Sequence, residues 1–121
     1  MAPKNPEPET NAPLTPAMFH VLLALAGDDL HGYAILKEVE LRTGGEVKLS
    51  TGTLYGIIKR LLNDGLIVEL RQRPATDDDG RRRYYRLTPK GREIAALEAE
   101  RLEKVVALAR ARRLLKRTQP A

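Results

Sequence analysis

The sequence predicts a mostly α-helical fold that carries one two-stranded β-hairpin. Apolar residues recur at helical spacing in four segments, and two strand-like runs, 66–70 and 83–87, flank a tip rich in turn-forming residues. Helix start signals, either a serine or a Thr-Pro pair, precede three of the four helical segments. At 121 residues the chain is long enough for one modest hydrophobic core and too short for two.

The composition favours a cytoplasmic protein with a single folded domain. Residues 1–13 contain four prolines and no apolar run, so we expect a disordered tail there, with a second short tail at 118–121. The longest apolar run, residues 21–26, is far too short to cross a bilayer, so we expect no membrane role. The absence of cysteine excludes disulfides, a thiolate nucleophile and a zinc site of the usual cysteine type.

The formal net charge is +5, and the excess positive charge lies in the second half of the chain. Residues 1–58 hold 4 basic and 7 acidic residues, residues 59–92 hold 10 and 5, and residues 93–121 hold 7 and 4. A basic segment beside a more acidic one suits a protein that binds a polyanion with one face, although many basic faces are only solvated. Charge alone leaves both possibilities open.

Two helices are predicted in the first third of the chain. The first begins at Thr15-Pro16, where the threonine can cap free amides, and ends at Gly27. The second runs from about Gly32 to the Gly44-Gly45 pair. The first should be mostly buried, through Met18, Phe19, Val21, Leu22, Leu23 and Leu25. The second has one inward stripe, formed by Tyr33, Ile35, Leu36 and Val39.

A third helix is predicted from the cap Ser50 to about Asn63. One side of this helix is apolar at helical spacing, so we expect it to face the core. The residues on that side are Leu54, Ile57, Ile58, Leu61 and Leu62.

The opposite side of the third helix is unusual. Thr51, Tyr55 and Lys59 follow one another at four-residue intervals and form an outward polar line, with Gly52 and Gly56 beside it. Each glycine inside a helix costs roughly 1 kcal/mol relative to alanine. Two glycines on one exposed face therefore indicate that the helix backbone comes close to a large partner.

The two strand-like runs, Leu66–Leu70 and Arg83–Leu87, are predicted to pair as a long-tipped hairpin. Its tip contains Asp77-Asp78-Asp79-Gly80, and arginines follow at positions 81 to 83. Three helices followed by such a hairpin, or wing, form a winged helix-turn-helix, which we assign to residues 14–88.

A long C-terminal dimerisation helix is predicted across residues 89–117. Thr88 caps it, Pro89 opens it, and about 27 residues reaching Lys116 or Arg117 would span about 40 Å. Its apolar stripe is too long for one small domain to cover, so we expect a homodimer. Charged residues near the stripe favour crossing helices that also pack on the first helix over a long coiled coil. The predicted interface is Ile94, Leu97, Leu102, Val105, Val106, Leu108 and Ala109, with Leu115 beyond them.

Several short motifs occur in a set order along the chain. They are His31-Gly32-Tyr33, Leu49 to Tyr55, Arg60-Leu61, Asp64 to Ile67 and Arg83 to Gly91. Their order and spacing resemble the PadR family of bacterial transcription regulators over about residues 14 to 117. The chain looks like the short subtype, in which one C-terminal helix provides the dimer contact.

The resemblance implies a DNA-binding repressor that releases DNA when a small molecule or stress signal changes the spacing of two recognition helices. Two positions depart from the family pattern: Gly56 stands where proline is usual, and Leu62 where glutamate is frequent. Some relatives stack flat aromatic drugs on tryptophans of the last helix. This chain has no tryptophan, so a pore of that kind is not supported.

On this interpretation the partner is double-stranded DNA, with an inverted-repeat operator. The third helix would enter the major groove and the wing arginines would lie along phosphates or in the minor groove, with Arg71 behind them. The predicted DNA-binding residues are Ser50, Thr51, Gly52, Thr53, Tyr55, Lys59, Arg73, Arg81, Arg82 and Arg83. Tyr55 is also a candidate for partial burial in the core.

Less specific interpretations apply to the other polar residues. Tyr33, Tyr84 and Tyr85 are expected to be structural, and His20 and His31 to pack or cap. The aspartates at positions 77 to 79 cannot all converge on one metal, so we expect no metal and no cofactor.

No arrangement of nucleophile, base and orienting group is visible in the sequence, so an enzyme is the third-ranked functional hypothesis. The main rival is a winged helix that serves as a protein-interaction adaptor or binds RNA. The sequence names no effector.

Overall fold

The computed structural model describes residues 14–71 and 82–116. In these ranges the helices are α1 (Pro16–Gly27), α2 (Gly32–Arg42), α3 (Thr51–Asn63) and α4 (Pro89–Ala111). The strands are β1 (Leu30–His31), β2 (Ile67–Glu69) and β3 (Tyr84–Leu87). The predicted mostly helical fold with a winged helix-turn-helix is confirmed. The two predicted tails and the hairpin tip, with its three aspartates, lie outside the described residues.

Side-chain caps explain where the helices begin. Thr15, Ser50 and Thr88 each accept a hydrogen bond from the amide three positions on, at 3.1, 3.0 and 2.9 Å. His31 does the same for α2, since its Nδ1 accepts from the Ala34 amide at 3.2 Å. The interpretation of His31 as a capping residue is therefore confirmed.

The core lies between α1, α2, α3 and the small sheet, and α1 is its central element. This helix contacts α2, α4 and β3. Leu23 is a correction to the prediction, because it is exposed beside the groove between α1 and α2. The largest fully buried side chains are Leu22, Ile35, Leu54, Leu61, Ile67, Val21 and Val39.

The sheet has a third strand that the sequence did not predict. Its order is β1-β3-β2, and both pairings are antiparallel. His31 lies opposite Tyr84 in the first pairing, and Ile67 lies opposite Leu87 in the second. β2 and β3 coincide with the predicted hairpin strands, shortened at their ends. β1 joins the start of α2 directly to the wing.

α4 is shorter than predicted and ends at Ala111. It has 23 residues, about 34 Å, and does not reach Lys116 or Arg117. Arg113 adopts a left-handed φ of 63°, and the Leu114 amide donates to the Ala109 carbonyl at 2.9 Å. This hydrogen-bond pattern closes a helix, so residues 112–116, including Leu115 of the predicted stripe, are not helical.

The first turn of α4 lies directly on the turn between α3 and β2. A Cβ added to Gly91 would collide with the Leu66 carbonyl oxygen and would lie 2.8 Å from Cδ1 of Leu87. The same carbonyl accepts a hydrogen bond from the Thr88 amide at 3.0 Å, and the Thr88 hydroxyl donates to the Gly65 carbonyl at 2.7 Å. Glycine is therefore required at position 91.

Within the described ranges, no helix combines the length and apolar character needed to cross a membrane.

We expect Gly91→Ala to lower the free energy of unfolding by roughly 1–3 kcal/mol, because the new methyl group overpacks against a backbone carbonyl. Urea unfolding followed by far-UV circular dichroism measures the change. Gly27→Ala is the matched control, since a Cβ at that exposed helix end meets nothing within 4 Å. Equal unfolding midpoints for the two variants would contradict the tight contact.

Candidate nucleic-acid interface

The outward face of α3 is exposed, as the sequence predicted. Thr51, Tyr55 and Lys59 lie along it one turn apart, on the side opposite Leu54, Ile58 and Leu61. A hydroxyl, a phenol and an ammonium group are thus presented in one line. All three groups can donate hydrogen bonds to base edges or phosphates.

At the start of α3, two predicted DNA-binding hydroxyls are joined to each other. Ser50 Oγ accepts from the Thr53 amide and donates to Thr53 Oγ1 at 2.9 Å. Ser50 therefore serves first as the helix cap. The hydroxyl hydrogen of Thr53 is left to donate to a ligand, and both residues are exposed.

The two glycines of α3 leave a strip of bare helix backbone. Both are exposed, and a Cβ added to Gly52 or Gly56 meets nothing within 4 Å. Internal packing therefore gives no reason for glycine at either position. A shallow depression continues from Gly56 along the helix and is lined by Lys59, Arg60, Leu62 and Asn63.

Tyr55 faces two ways. Its side chain is 47% exposed, yet a Cβ added to Gly32 would lie 2.5 Å from the phenol oxygen. The end of the ring therefore rests on the first residue of α2. Tyr55 also adds to the raised pKa of Tyr85, whose larger causes are burial and the charge of Glu69. Tyr55 thus contacts α2, neighbours the sheet and keeps one edge in solvent.

Two of the predicted DNA-binding arginines of the wing lie immediately before β3. Arg82 and Arg83 are exposed, and Nη1 of Arg83 lies 3.5 Å from Oε1 of Glu69 across the hairpin. An exposed pair at this distance is weak, so a phosphate can compete for the guanidinium. Arg73 and Arg81, the other two predicted wing residues, lie outside the described residues.

An arginine that the sequence did not single out anchors the wing. Nε and Nη2 of Arg86 in β3 donate to the Asp29 carboxylate, with the shortest bond at 2.7 Å. These hydrogen bonds, together with the negative charge of Asp29, raise the pKa of Arg86. Asp29 immediately precedes β1, so this fork reinforces the β1–β3 pairing. Arg86 therefore has a structural role in the wing, whereas Arg82 and Arg83 are candidates for contact with a phosphate.

Tyr33 is placed differently from the prediction. The sequence assigned it to the inward stripe of α2, but it is 62% exposed, whereas Ile35 and Val39 are buried. Nζ of Lys37 lies 5.7 Å from the centre of its ring. Tyr33, Lys37 and Leu41 follow one another at four-residue intervals and are all exposed. This spacing is the sequence signal that separates the exposed side of α2 from its core stripe. Tyr85 is buried and Tyr84 half-buried, which confirms their structural interpretation.

The apolar stripe of α4 is largely uncovered. Leu97 and Leu108 are 57% and 56% exposed, and Val105 and Val106 are also exposed. Ile94, Leu102 and Ala109 are half-buried. The ion pair between Glu98 and Arg101, at 2.7 Å, neutralises two charges that the sequence placed near this stripe.

A winged helix-turn-helix with an exposed polar helix and a basic wing has the geometry of a nucleic-acid-binding protein. A family model described as the transcriptional regulator PadR-like family matches residues 21–97. The chain belongs to this PadR-like family. It is therefore a DNA-binding transcription regulator.

Individual relatives agree with this assignment. The chain is 39% identical over 87 residues to the transcriptional regulator Rv3488 of Mycobacterium tuberculosis, an alignment that covers 71% of this chain and 75% of that protein. It is 38% identical over 89 residues to an uncharacterized 37.1 kDa protein in transposon TN4556 of Streptomyces fradiae. That alignment covers 74% of this chain and 24% of the transposon protein, so the chain matches about a quarter of its length.

Solved structures of PadR-like and related regulators have the same fold. A transcriptional regulator from Clostridium thermocellum superposes with a TM-score of 0.66 at 26% identity, covering 78% of this chain and 86% of that one. A PadR family transcription regulator from Clostridium difficile R20291 superposes with a TM-score of 0.62 at 26% identity. That match covers 77% of this chain and 95% of that one.

Proposed function

We propose that this PadR-like regulator is a cytoplasmic homodimer that binds an inverted-repeat operator sequence-specifically and represses transcription until a small-molecule or stress signal releases it. The observation that carries the DNA-binding part is the exposed face of α3. It combines a line of hydrogen-bond donors with bare backbone at Gly52 and Gly56. That combination suits a helix that enters the major groove closely.

In the proposed complex, α3 provides the base contacts and the wing contacts phosphates. Thr51, Thr53 and Tyr55 donate hydrogen bonds from the groove-facing side, and Lys59 neutralises a phosphate. Ser50 holds the N-terminus of α3 in place, where unpaired amides favour a phosphate. The wing contributes through Arg82 and Arg83, together with Arg73 and Arg81 outside the described residues.

The homodimer is proposed to form through the apolar stripe of α4. A protomer that leaves several large aliphatic side chains of one helix exposed lacks a partner for that face. A two-fold axis would bring the same stripe from a second copy against it. The two copies of α3 would then bind half-sites about one turn, roughly 10 bp, apart or a multiple of that spacing.

Repression and release by a signal are supported by the resemblance to the PadR family. The direct test is fluorescence anisotropy of the protein with the duplex upstream of its own gene and with a scrambled duplex, over a salt series. Tight, salt-sensitive binding that prefers the native duplex is the expected result. Equal affinity for both duplexes would exclude sequence specificity at this site, and the absence of binding would favour an adaptor role.

We expect Lys59→Ala and Arg82→Ala each to weaken DNA binding and to reduce the slope of log K against log salt by about 0.9, because each removes one phosphate contact. The anisotropy salt series measures both quantities. Arg42→Ala is the control, since it removes the same charge from an ion pair with Glu38 on another face. A slope unchanged from wild type would remove the substituted residue from the phosphate contacts.

Gly56→Ala is expected to separate stability from function. The substitution should raise the free energy of unfolding by up to about 1 kcal/mol, because alanine favours the helix and its methyl group meets open space. It should weaken binding to the native duplex, because the methyl group holds the helix away from the DNA. Thermal unfolding and anisotropy on the same sample measure the two effects. A stabilised variant with wild-type affinity would contradict close approach at Gly56.

Val105→Glu is expected to convert the dimer to a monomer, because a dimer would have to bury an unpaired carboxylate. Val105 is exposed within the protomer, so the protomer itself should stay folded, and Leu102→Glu should act in the same direction. Sedimentation velocity measures the molecular mass. Leu41→Glu, at an exposed leucine of α2, is the control. A Val105→Glu dimer as stable as the control would place the interface elsewhere.

A further inference from the structure

We propose that Gly32, the first residue of α2, is a positioning residue for sequence recognition, because it holds the Tyr55 phenol where that group can hydrogen-bond to a base edge. Gly32 is buried, so it does not touch DNA and acts through Tyr55. The proposal rests on the proposed function of α3. It assigns to a residue outside the DNA-binding face the direction of one base contact.

The backbone of α2 forms the seat of the phenol. A Cβ added to Gly32 would lie 2.5 Å from the phenol oxygen of Tyr55, 3.0 Å from its Cζ and 3.4 Å from its Cε1. These three atoms are the nearest neighbours of that Cβ position, and all belong to the tip of the Tyr55 ring. The ring tip therefore occupies the space that any side chain at position 32 would take.

The Tyr55 hydroxyl is held in this seat with its hydrogen still available. Within residues 14–71 and 82–116, no hydrogen bond joins this hydroxyl to another group, and the side chain is 47% exposed. The hydroxyls of Ser50 and Thr53, in contrast, bond to each other at 2.9 Å. A donor that is already fixed in place loses little conformational freedom on binding, which favours a directional contact.

The charge of each outward group of α3 indicates what it can recognise. Lys59 carries a positive charge on a long flexible chain, which suits a phosphate and gives no sequence information. Tyr55 is neutral and rotates about only two side-chain bonds, which suits a base edge in the major groove. The aim of the Tyr55 hydroxyl therefore affects specificity, whereas the position of Lys59 affects general affinity.

A side chain at position 32 would displace the phenol and leave the fold intact. The atoms that it would meet are the far end of a half-exposed side chain, so the ring can move aside without any backbone shift. Relief of the 2.5 Å contact requires a movement of roughly 1 Å, which is enough to break a hydrogen bond. Alanine also favours a helix more than glycine does, so α2 itself should not be weakened.

The test is a double-mutant cycle between Gly32→Ala and Tyr55→Ala, measured by anisotropy on the native and the scrambled duplex. We expect Gly32→Ala to weaken binding to the native duplex roughly tenfold, the loss of one base contact. Its affinity for the scrambled duplex and its salt slope should stay at the wild-type values, because no charge changes. In the Tyr55→Ala background, Gly32→Ala should have no effect, since there is no ring to displace.

Gly27→Ala is the matched control, since a Cβ at that position meets nothing within 4 Å, and its affinity should stay within twofold of wild type. Tyr55→Phe provides an independent arm. It keeps the ring on Gly32 and removes only the hydroxyl, so binding to the native duplex should fall by about the same factor as in Gly32→Ala. Thermal unfolding shows whether each variant keeps the wild-type stability.

Three outcomes would overturn the positioning role while α3 still binds DNA. They are an unchanged preference for the native duplex in Gly32→Ala, an equal effect of Gly32→Ala in the presence and absence of the Tyr55 ring, and wild-type binding by Tyr55→Phe. A lower unfolding temperature of Gly32→Ala with an unchanged preference would assign Gly32 to packing alone. If the wild-type protein binds the two duplexes equally or binds neither, the proposed function itself fails.

Discussion

The short β1 strand and the start of α2 that follows it constrain both elements that we propose to contact DNA, α3 and the wing. His31 pairs with Tyr84 in the sheet, its ring meets the Tyr84 ring edge-on at 5.2 Å, and its Nδ1 caps α2. The next residue, Gly32, supports the Tyr55 ring of α3. Two consecutive residues therefore join the described part of the wing, α2 and α3. Because three different contacts converge there, a rotation of α2 would disturb its contacts with both the sheet and α3.

The position of α4 depends on a comparable close contact at the other end of the sheet. Gly91 allows the first turn of α4 to lie against the Leu66 carbonyl, and Thr88 both caps this helix and bonds to Gly65. The turn that follows α3 and the first turn of α4 are thus joined by contacts to backbone atoms rather than by long side chains. Such contacts tolerate little rearrangement, since there is no flexible group to move aside.

Most of the fold was predictable because its signals are local. Caps at Thr15, Ser50 and Thr88 and apolar spacing within each helix locate the helices, and turn-forming residues delimit the hairpin. β1 was missed because two residues are too few to show alternation and only the pairing with β3 reveals them. The end of α4 was missed because no glycine or proline marks it, and Arg113 adopts the left-handed conformation instead. Tyr33 was wrongly assigned to the core because it lies three residues before Leu36, and this helical spacing alone places it in the inward stripe.

These constraints bear on how a signal would release DNA from the proposed dimer. Within one protomer, contacts at His31-Gly32 and at Gly91 join α3, the described part of the wing and the start of α4. In the proposed dimer, the distance between the two copies of α3 would then change where the protomers meet, which we propose to be the apolar stripe of α4. A signal molecule acts on such an equilibrium only if it binds the two dimer shapes with different affinity. The search for an effector site therefore belongs at the proposed α4 interface and at the contact of α4 with α1, rather than at the face of α3 that we propose to contact DNA.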